Sequence, residues 1–238
     1  MFEWLLAAAI AAPETDLHAM LRAADAPRVA LEGTRVIVHA TLERDGAPTS
    51  ETDITLYVGH HGEALAVFRD QKGRQRKLLF RGDESWLIAP GTKHPVRIPP
   101  EQRLYGSASF AEIARLRLAR DYSAQRVRDD APCGNAVCRE LTISARNDNA
   151  PYASGTILLD DHSRMVSAEF RVPSGKPVKS LEVSYRRDAD RRSIPAQMIV
   201  TDRLNAKGST VTTLKYGYPL PLDDDPRRFD LKQLSNPE

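Results

Sequence analysis

Apolar and polar residues alternate along much of this chain with a period of two, which is typical of β-strands that bury one face. The clearest inward positions are Val36, Val38, Ala40 and Leu42, followed by Ile54, Leu56 and Val58. The residues between them are mostly polar, as in Arg35, His39, Asp53 and Thr55. This pattern predicts strands that place one face of a sheet against an apolar core.

The alternation predicts strands in two groups, one on each side of a central helix. The first group covers 29–42, 53–59, 64–69, 74–80, 85–89 and 94–98, and the second covers 139–146, 155–159, 165–172, 180–186, 196–205 and 209–216. Turn residues such as Asp45-Gly46, Gly82-Asp83 and Pro90-Gly91 separate many of them. Such regular spacing predicts an antiparallel meander.

Three helices are predicted. The first covers 16–26 behind a Thr15 or Asp16 N-cap, and Pro27 is expected to end it. The central helix covers 109–122, where Ser109 and Glu112 have the spacing of a capping box. The last covers 227–234 behind Asp225. Its apolar residues, which are expected to dock on the sheet, are Phe229, Leu231 and Leu234.

A large sheet with one apolar face needs a cover, and this chain offers few helices. We therefore expect a strongly curved antiparallel sheet that wraps around its own apolar face, with the central and terminal helices as its lid. Composition and periodicity alone also allow a filled sandwich or barrel.

The composition and length limit the possible partners, membrane spans and number of domains. The 238 residues include 34 Lys and Arg against 32 Asp and Glu, a net charge of +2, so we expect no nucleic-acid partner. The mean hydropathy is −0.44, and no apolar run approaches the roughly 20 residues that cross a bilayer. The length suits one domain, which we expect over residues 12–238.

The first residues resemble a secretory signal peptide. Residues 4–12 form an apolar run that ends in small residues, and cleavage after Ala11 would remove residues 1–11. Glu3 stands where a Lys or Arg is expected, so either the true start lies upstream or this run is an ordinary buried helix start. The signal-peptide interpretation predicts export to the periplasm.

The two cysteines agree with export. Cys133 and Cys138 flank a Gly-Asn turn with four residues between them, a spacing that suits a disulfide across a hairpin. The alternative is a pair of reduced thiols in a cytosolic protein. A zinc site is disfavoured because no second cysteine pair or close histidine pair accompanies this one.

Catalytic motifs are missing from the sequence. His18, His39, His60, His61, His94 and His162 do not form a metalloprotease-type pattern. Gly106-Ser107-Ala108-Ser109 comes nearest to a serine-hydrolase elbow but lacks the closing glycine. We therefore expect no enzyme activity, no cofactor and no metal.

Four short motifs follow one another in the central part of the chain. They are Trp-Leu-Ile-Ala-Pro at 86–90, Arg-Ile-Pro-Pro at 97–100, Gln-Arg-Leu-Tyr-Gly-Ser at 102–107 and Ala-Arg-Asp-Tyr at 119–122. In this order they resemble the outer-membrane lipoprotein-sorting family, the LolA/LolB-like periplasmic carriers. The four motifs depart from those of the family's best-known sorting proteins and match a wider branch of the family.

The resemblance implies an incomplete, half-open β-barrel, mainly β with a few helices, whose interior accepts lipid or lipoprotein acyl chains. The chain would act as a monomeric carrier or chaperone between an inner-membrane transporter and an outer-membrane acceptor. The expected cavity and lid residues are Phe80, Trp86, Ile88, Leu104, Phe110, Ile113, Leu116 and Phe170. The alternatives are a sensing or adaptor domain of similar fold that binds a protein partner, and an unrecognised hydrolase.

Overall fold

One large antiparallel sheet of fourteen strands dominates the fold. The computed structural model describes residues 16–69, 73–91, 94–99, 103–109, 112–113, 116–204, 210–223 and 225–235. The predicted signal peptide, residues 1–11, therefore lies outside the described residues.

The strands fall into an N-terminal group, a small separate hairpin and a C-terminal group. The bounds are β1 Thr34–Arg44, β2 Ala47–Val58, β3 Ala64–Arg69, β4 Gln75–Arg81, β5 Glu84–Ile88, β6 Val96–Arg97, β7 Arg103–Tyr105, β8 Ala108–Ser109, β9 Tyr122–Cys133, β10 Ala136–Ala145, β11 Ser154–Leu159, β12 Met165–Arg171, β13 Pro177–Arg187, β14 Ser193–Asp202, β15 Thr210–Tyr216 and β16 Leu220–Pro221. Strands β7 and β8 form the separate hairpin.

Each group is a meander, and the two meanders join along β1 and β15. The strand order is β6-β5-β4-β3-β2-β1-β15-β14-β13-β12-β11-β10-β9, and β16 also pairs with β1. At the junction Val38 lies opposite Tyr216 and Arg44 lies opposite Thr210. Strands β6 and β9 end this order, so the sheet is curved but not closed. The predicted single antiparallel sheet and half-open barrel are confirmed.

Helix α1, Leu17–Val29, covers part of the sheet. Its N-cap is Asp16, whose carboxylate accepts a 3.0 Å hydrogen bond from the Ala19 N–H, as predicted. The prediction that Pro27 ends the helix is wrong. Pro27 lies inside the last turn, and the Ala30 N–H still donates to the Ala26 carbonyl at 2.9 Å. The helix therefore passes its proline and loses only the bond that the missing N–H would have made.

The predicted helix at 109–122 is also wrong. Ser109 ends β8, Leu116 and Arg117 are not helical, and Tyr122 begins β9. Within the described part of this segment, the α-helix is the short α2, Leu118–Asp121. One capping-box contact is nevertheless present, because the Ser109 N–H donates to Glu112 Oε2 at 2.5 Å. Pairing of both ends into strands has overridden the helical periodicity.

Strand β9 was not predicted. It is an edge strand that pairs only with β10 among the described strands, and its middle residues 125–130 are exposed. Because neither face of this stretch is buried, the sequence shows charges there rather than alternation. Charged edges are a common protection against unwanted strand pairing.

The two faces of the sheet carry separate apolar clusters. The inner cluster draws on strands of both meanders and includes Val38, Leu56, Leu78, Phe80, Leu141, Ile157, Phe170, Leu181, Met198 and Leu214. The outer cluster is small and is built on Leu65, Leu79 and Ile88.

The C-terminal segment covers the outer cluster. A 3-10 helix, Pro226–Phe229, and helix α3, Leu231–Ser235, place Phe229, Leu231 and Leu234 against it. The Asp225 carboxylate caps the first of these helices through the Arg227 N–H at 3.0 Å. The predicted cap and docking are confirmed, although the single predicted helix is divided in two. None of the described helices is long and apolar enough to cross a membrane.

Candidate functional site

The inner face of the half-barrel is the candidate site. Alternation directs Val36, Val38 and Ala40 of β1 inward, and all three are fully buried. Phe170 of β12 lies on the same face at 0% exposure and stacks on Tyr152 with ring centroids 4.5 Å apart. This face presents a continuous apolar surface from both meanders.

Two elements cover this surface. Helix α1 contributes Leu21 and Ala24, and the lid segment, which we define as residues 107–109, 112–113 and 116–121, contributes Ile113, Leu116 and Leu118. These five side chains are at most 4% exposed. The cover therefore fills the curved sheet with apolar side chains of its own.

The lid segment begins at a turn that fits tightly on the sheet. Gly106 has a φ of +56°, and a Cβ there would lie 2.4 Å from both Leu42 Cδ1 and Thr212 Oγ1. The next residue, Ser107, donates two hydrogen bonds: its N–H donates to Thr212 Oγ1 at 2.9 Å and its hydroxyl donates to the Val200 carbonyl at 2.6 Å. Glycine is required at position 106 by both the backbone conformation and the close approach.

A buried ion pair then holds the lid segment to the sheet. Glu112 is fully buried, and its two carboxylate oxygens each lie 3.2 Å from Nζ of Lys179 in β13. Lys179 also donates to the Ser107 carbonyl at 2.6 Å. The Ser109 and Tyr152 hydroxyls donate to the same carboxylate. We call Glu112, Lys179, Ser107, Ser109 and Tyr152 the Glu112 clasp.

Polar contacts also bind the lid segment to α1. The Asp25 carboxylate accepts hydrogen bonds from the Leu118 and Ala119 N–H groups, both at 2.9 Å, and so caps α2. Arg28 donates to the Glu112 carbonyl at 2.9 Å. Arg117 of the lid segment pairs at 3.2 Å with Glu32, in the turn that follows α1. These contacts make α1 and the lid segment one unit, which we call the roof.

Burial shifts the pKa of two groups in the roof. Desolvation raises the pKa of the Asp25 carboxyl above its usual range, against the lowering effect of the two backbone N–H donors. Burial, assisted by the positive charge of Arg28, lowers the pKa of the Arg117 guanidinium. Both shifts disfavour the charged form, so the roof holds its charges at a free-energy cost.

The cavity that the described residues form under the roof is small. A cavity of about 20 Å³ lies between α1, the lid segment and the sheet, and its lining includes Arg28, Leu31, Ile113, Met198 and Tyr216. This volume is close to that of one water molecule. An acyl chain could occupy the inner face only if the roof moved away from it.

The structure brings together four of the predicted site residues. Phe80, Ile113, Leu116 and Phe170 all belong to the inner cluster. Leu104 lies in β7, but its side chain is outside the described part of the structure, and Phe110 lies outside the described residues altogether.

Trp86 and Ile88 do not share this surface, which corrects their predicted placement beside Phe80. Both pack in the outer cluster, beneath the C-terminal segment. The reason is the register of β4 and β5, in which Phe80 lies opposite Ser85 and Leu79 lies opposite Trp86. Cross-strand partners point to the same face, so Trp86 follows Leu79 to the outer face.

Sequence reasoning missed the Glu112 clasp as a site feature. Glu112 was recognised only as a helix-capping residue, and Lys179 was not singled out. A signal existed for Lys179, because it shares the period-two face of Leu181 and Val183 in β13, both of which are buried. A lysine at an inward position of a strand needs a buried partner.

Cys133 and Cys138 form a disulfide at the tip of the β9–β10 hairpin, with Cα atoms 5.9 Å apart. This tip also lines a pocket of about 640 Å³ with residues of β11, β12, β13 and β14. The bridge therefore stiffens this hairpin, and neither cysteine belongs to the inner cluster.

One acidic cluster has the composition of a metal site. Among the described residues, Asp160, Asp161 and His162 place potential ligand atoms within 4.8 Å of one another. Asp160 is already an acceptor for the Arg164 backbone and guanidinium groups, and the other two residues are exposed. This arrangement is explained by a turn between β11 and β12.

Comparison with known proteins supplies a family. A family model described as "Uncharacterized protein" matches residues 62–236. The chain belongs to this family. Curated proteins give no match.

Solved structures show the fold. A LolA superfamily protein from Nitrosomonas europaea is 20% identical, with a TM-score of 0.75 over 88% of this chain and 94% of that one. A domain described as an outer-membrane lipoprotein-sorting protein, from Vibrio parahaemolyticus, is 16% identical, with a TM-score of 0.70 over 91% and 98%. A DUF1329 family protein from Desulfovibrio piger is 15% identical, with a TM-score of 0.72 over 91% and 97%. This chain has the LolA-superfamily fold, as its motifs predicted.

Proposed function

We propose that the protein is a periplasmic carrier or chaperone that binds lipid or lipoprotein acyl chains on the inner face of the half-barrel. The observation that carries this proposal is the construction of the inner face. A continuous apolar surface is covered by a roof that no strand pairing joins to the large sheet in the described residues. Such a roof can move away from the inner face without breaking the strand pairing of the sheet.

The free energy of acyl-chain binding suits a protein that transfers its cargo rather than one that stores it. Burying each methylene of an acyl chain contributes about 0.8 kcal/mol, but the chain would displace Ile113, Leu116 and Leu118, which are already buried there. The affinity is therefore the difference between two ways of covering the same surface. Moderate affinity allows a carrier to receive cargo from one membrane partner and surrender it to another.

The Glu112 clasp would fix the position of the roof in the closed state. A buried ion pair with several hydrogen bonds has one geometry, so it specifies where the roof returns. We propose that the roof moves as a unit when the clasp opens. No covalent chemistry is required, and the proposed function is not enzymatic.

The remaining assignments belong to the same proposal. Residues 1–11 would be removed as a signal peptide, and residues 12–238 would form the mature domain. Its partners would be acyl chains, an inner-membrane transporter and an outer-membrane acceptor. The protein would be a monomer, in agreement with the charged edge strand β9 and the two-residue edge strand β6.

The named structural relatives agree with this proposal through their descriptions. One is described as a lipoprotein-sorting protein and another as a member of the LolA superfamily. These descriptions apply to those proteins, and only the shared fold connects them with this chain.

A second function has one observation in its favour. The small cavity under the roof, about 20 Å³, suits a sensing or adaptor domain whose interior stays filled and which binds a protein partner instead.

The deciding experiment is native mass spectrometry with lipid extraction on protein purified after export. We expect a stoichiometric acyl-bearing ligand in the wild type and its loss in Ile113→Glu, which places a charge under the roof. Leu231→Glu is the matched control, because the same change on the outer face should leave the ligand in place. Circular dichroism would check that both variants fold. Ligand-free wild-type protein from several preparations would reject the carrier in favour of the sensing domain.

A further inference from the structure

The inner face changes from polar to apolar along β2 and β4, the two strands that flank β3. In β2, Ser50 and Thr52 precede the inward residues Ile54 and Leu56. In β4, Arg76 precedes Leu78 and Phe80 at the same period-two spacing. Arg76 lies opposite Phe68 of β3, so the polar ends of these strands meet at one rim of the half-barrel.

A pocket of about 410 Å³ opens at this rim. Among the described residues, its lining includes three basic side chains, Arg69, Arg74 and Arg76, and one acid, Glu51. Positive charge therefore predominates here, although the whole chain is nearly balanced, with 34 basic and 32 acidic residues. The volume lies within the range of small-molecule binding sites.

The floor of the pocket continues into the inner cluster. Phe68 lines the pocket, is 4% exposed and belongs to that cluster, and the Arg76 guanidinium carbon lies 5.1 Å from the centroid of its ring. Tyr105 packs against the same cluster while its hydroxyl donates to Ser50 Oγ at 2.9 Å. The pocket thus joins a basic rim to an apolar interior.

We propose that this pocket binds the anionic head group, a phosphate or a carboxylate, of an amphiphile whose acyl chain lies on the inner face. Guanidinium groups match the geometry of both anions and form strong, charge-assisted hydrogen bonds with them. An amphiphile needs a polar site next to an apolar one, and the rim and the inner face have that order. The inference rests on the proposed carrier function and adds the class of its cargo.

Calorimetric titration of the full chain tests this inference with three probes. They are myristoyl lysophosphatidylglycerol, which is anionic, myristoyl lysophosphatidylcholine, which is zwitterionic, and inorganic phosphate, with both lipids kept below their micelle concentrations. We expect the wild type to bind the anionic lipid about tenfold more tightly than the zwitterionic one at low salt. This preference should shrink in 0.5 M salt, because exposed charges are then largely screened.

Two double variants, which remove the same number of arginines, test whether the preference comes from this pocket. Arg74→Gln with Arg76→Gln should remove the preference, because it should weaken binding of the anionic lipid more than binding of the zwitterionic one. Arg35→Gln with Arg81→Gln removes the same charge from exposed positions elsewhere on β1 and β4, and should keep the preference. Circular dichroism and thermal unfolding would check that both double variants fold.

Three results would overturn the inference, and they differ in what they say of the carrier. Equal binding of the two lipids by the wild type would remove the head-group site but leave the carrier standing. Phosphate binding as tight as that of the anionic lipid would indicate a site for a free anion. Failure to bind either lipid would reject the carrier and the head-group site together.

Discussion

The inner and outer faces of the sheet are covered in different ways. The inner face carries a roof that is fixed by a fully buried carboxylate, a buried lysine and several hydrogen bonds, in addition to apolar contacts. The outer face carries the C-terminal segment, whose Phe229, Leu231 and Leu234 pack on an outer cluster with three buried residues in the described part of the chain. The cover of the larger apolar surface is therefore held by more polar contacts.

This difference indicates what each cover is for. Apolar contacts alone would hold a cover adequately, and a buried ion pair often stabilises a protein no more than apolar side chains of the same volume. Its particular property is a single geometry that is either made or broken. We infer that the inner cover is built for two defined states and the outer cover for one.

The largest expected effect comes from breaking the clasp. Lys179→Met leaves Glu112 buried without its cation and should lower the free energy of unfolding by about 3–5 kcal/mol. Adding Glu112→Gln should restore much of that loss, since the neutral amide can still accept from Ser109 and Tyr152. Urea denaturation of the two single variants and the double variant measures the coupling, and strictly additive losses would contradict the assigned role of the pair.

Truncating one aromatic side chain on each face tests the same comparison. Phe170→Ala removes a fully buried ring from the inner cluster and should cost about 3 kcal/mol. Trp86→Ala, on the partly exposed outer face, should cost clearly less. Thermal unfolding of both variants ranks the faces, and a larger loss for Trp86→Ala would show that the outer cover is the principal one.

The disulfide should have a smaller effect, because it closes a short loop outside the inner cluster. Cys133→Ser with Cys138→Ser should lower stability by about 2 kcal/mol at most. Lipid content after purification should not change. A variant that loses its ligand while remaining folded would place the hairpin in the binding mechanism after all.

The smallest expected effect is a pH dependence in the roof. The pKa of Asp25 is raised in the folded protein above 3.8, so the wild type loses stability from this group as pH rises from 3.8 through the raised pKa. Asp25→Asn does not titrate. The stability of wild type relative to this variant should therefore be greater at pH 4 than at pH 7, as measured by urea denaturation. An unchanged difference would mean that Asp25 keeps an ordinary pKa.

Much of the fold follows from the sequence. Strands that bury one face, such as β1 and β2, show regular alternation, and the capping residues Asp16 and Asp225 were identified from their positions. Strand β9 was missed because it buries little on either side. The helix expected at 109–122 was wrong because strand pairing at Ser109 and Tyr122 depends on distant residues that no local pattern includes.

Part of the candidate site was predicted from the sequence, and the wrong placement of Trp86 was avoidable. A two-residue turn at Gly82-Asp83 pairs Arg81 with Glu84, which fixes Trp86 opposite Leu79 and not beside Phe80. The Glu112 clasp is harder to foresee, because Glu112 and Lys179 are 67 positions apart. Only the inward register of Lys179 pointed to a buried partner.

The pairing of β1 with β15 also bears on how the protein folds. Each meander consists of neighbouring strands and can form from local contacts, but the seam between them joins residues from the two ends of the chain. Contacts of such high sequence separation are slow to form, because a long loop must close first. We expect the seam to be the late step of folding, so that a chain still being synthesised can build half a sheet but not the enclosed interior.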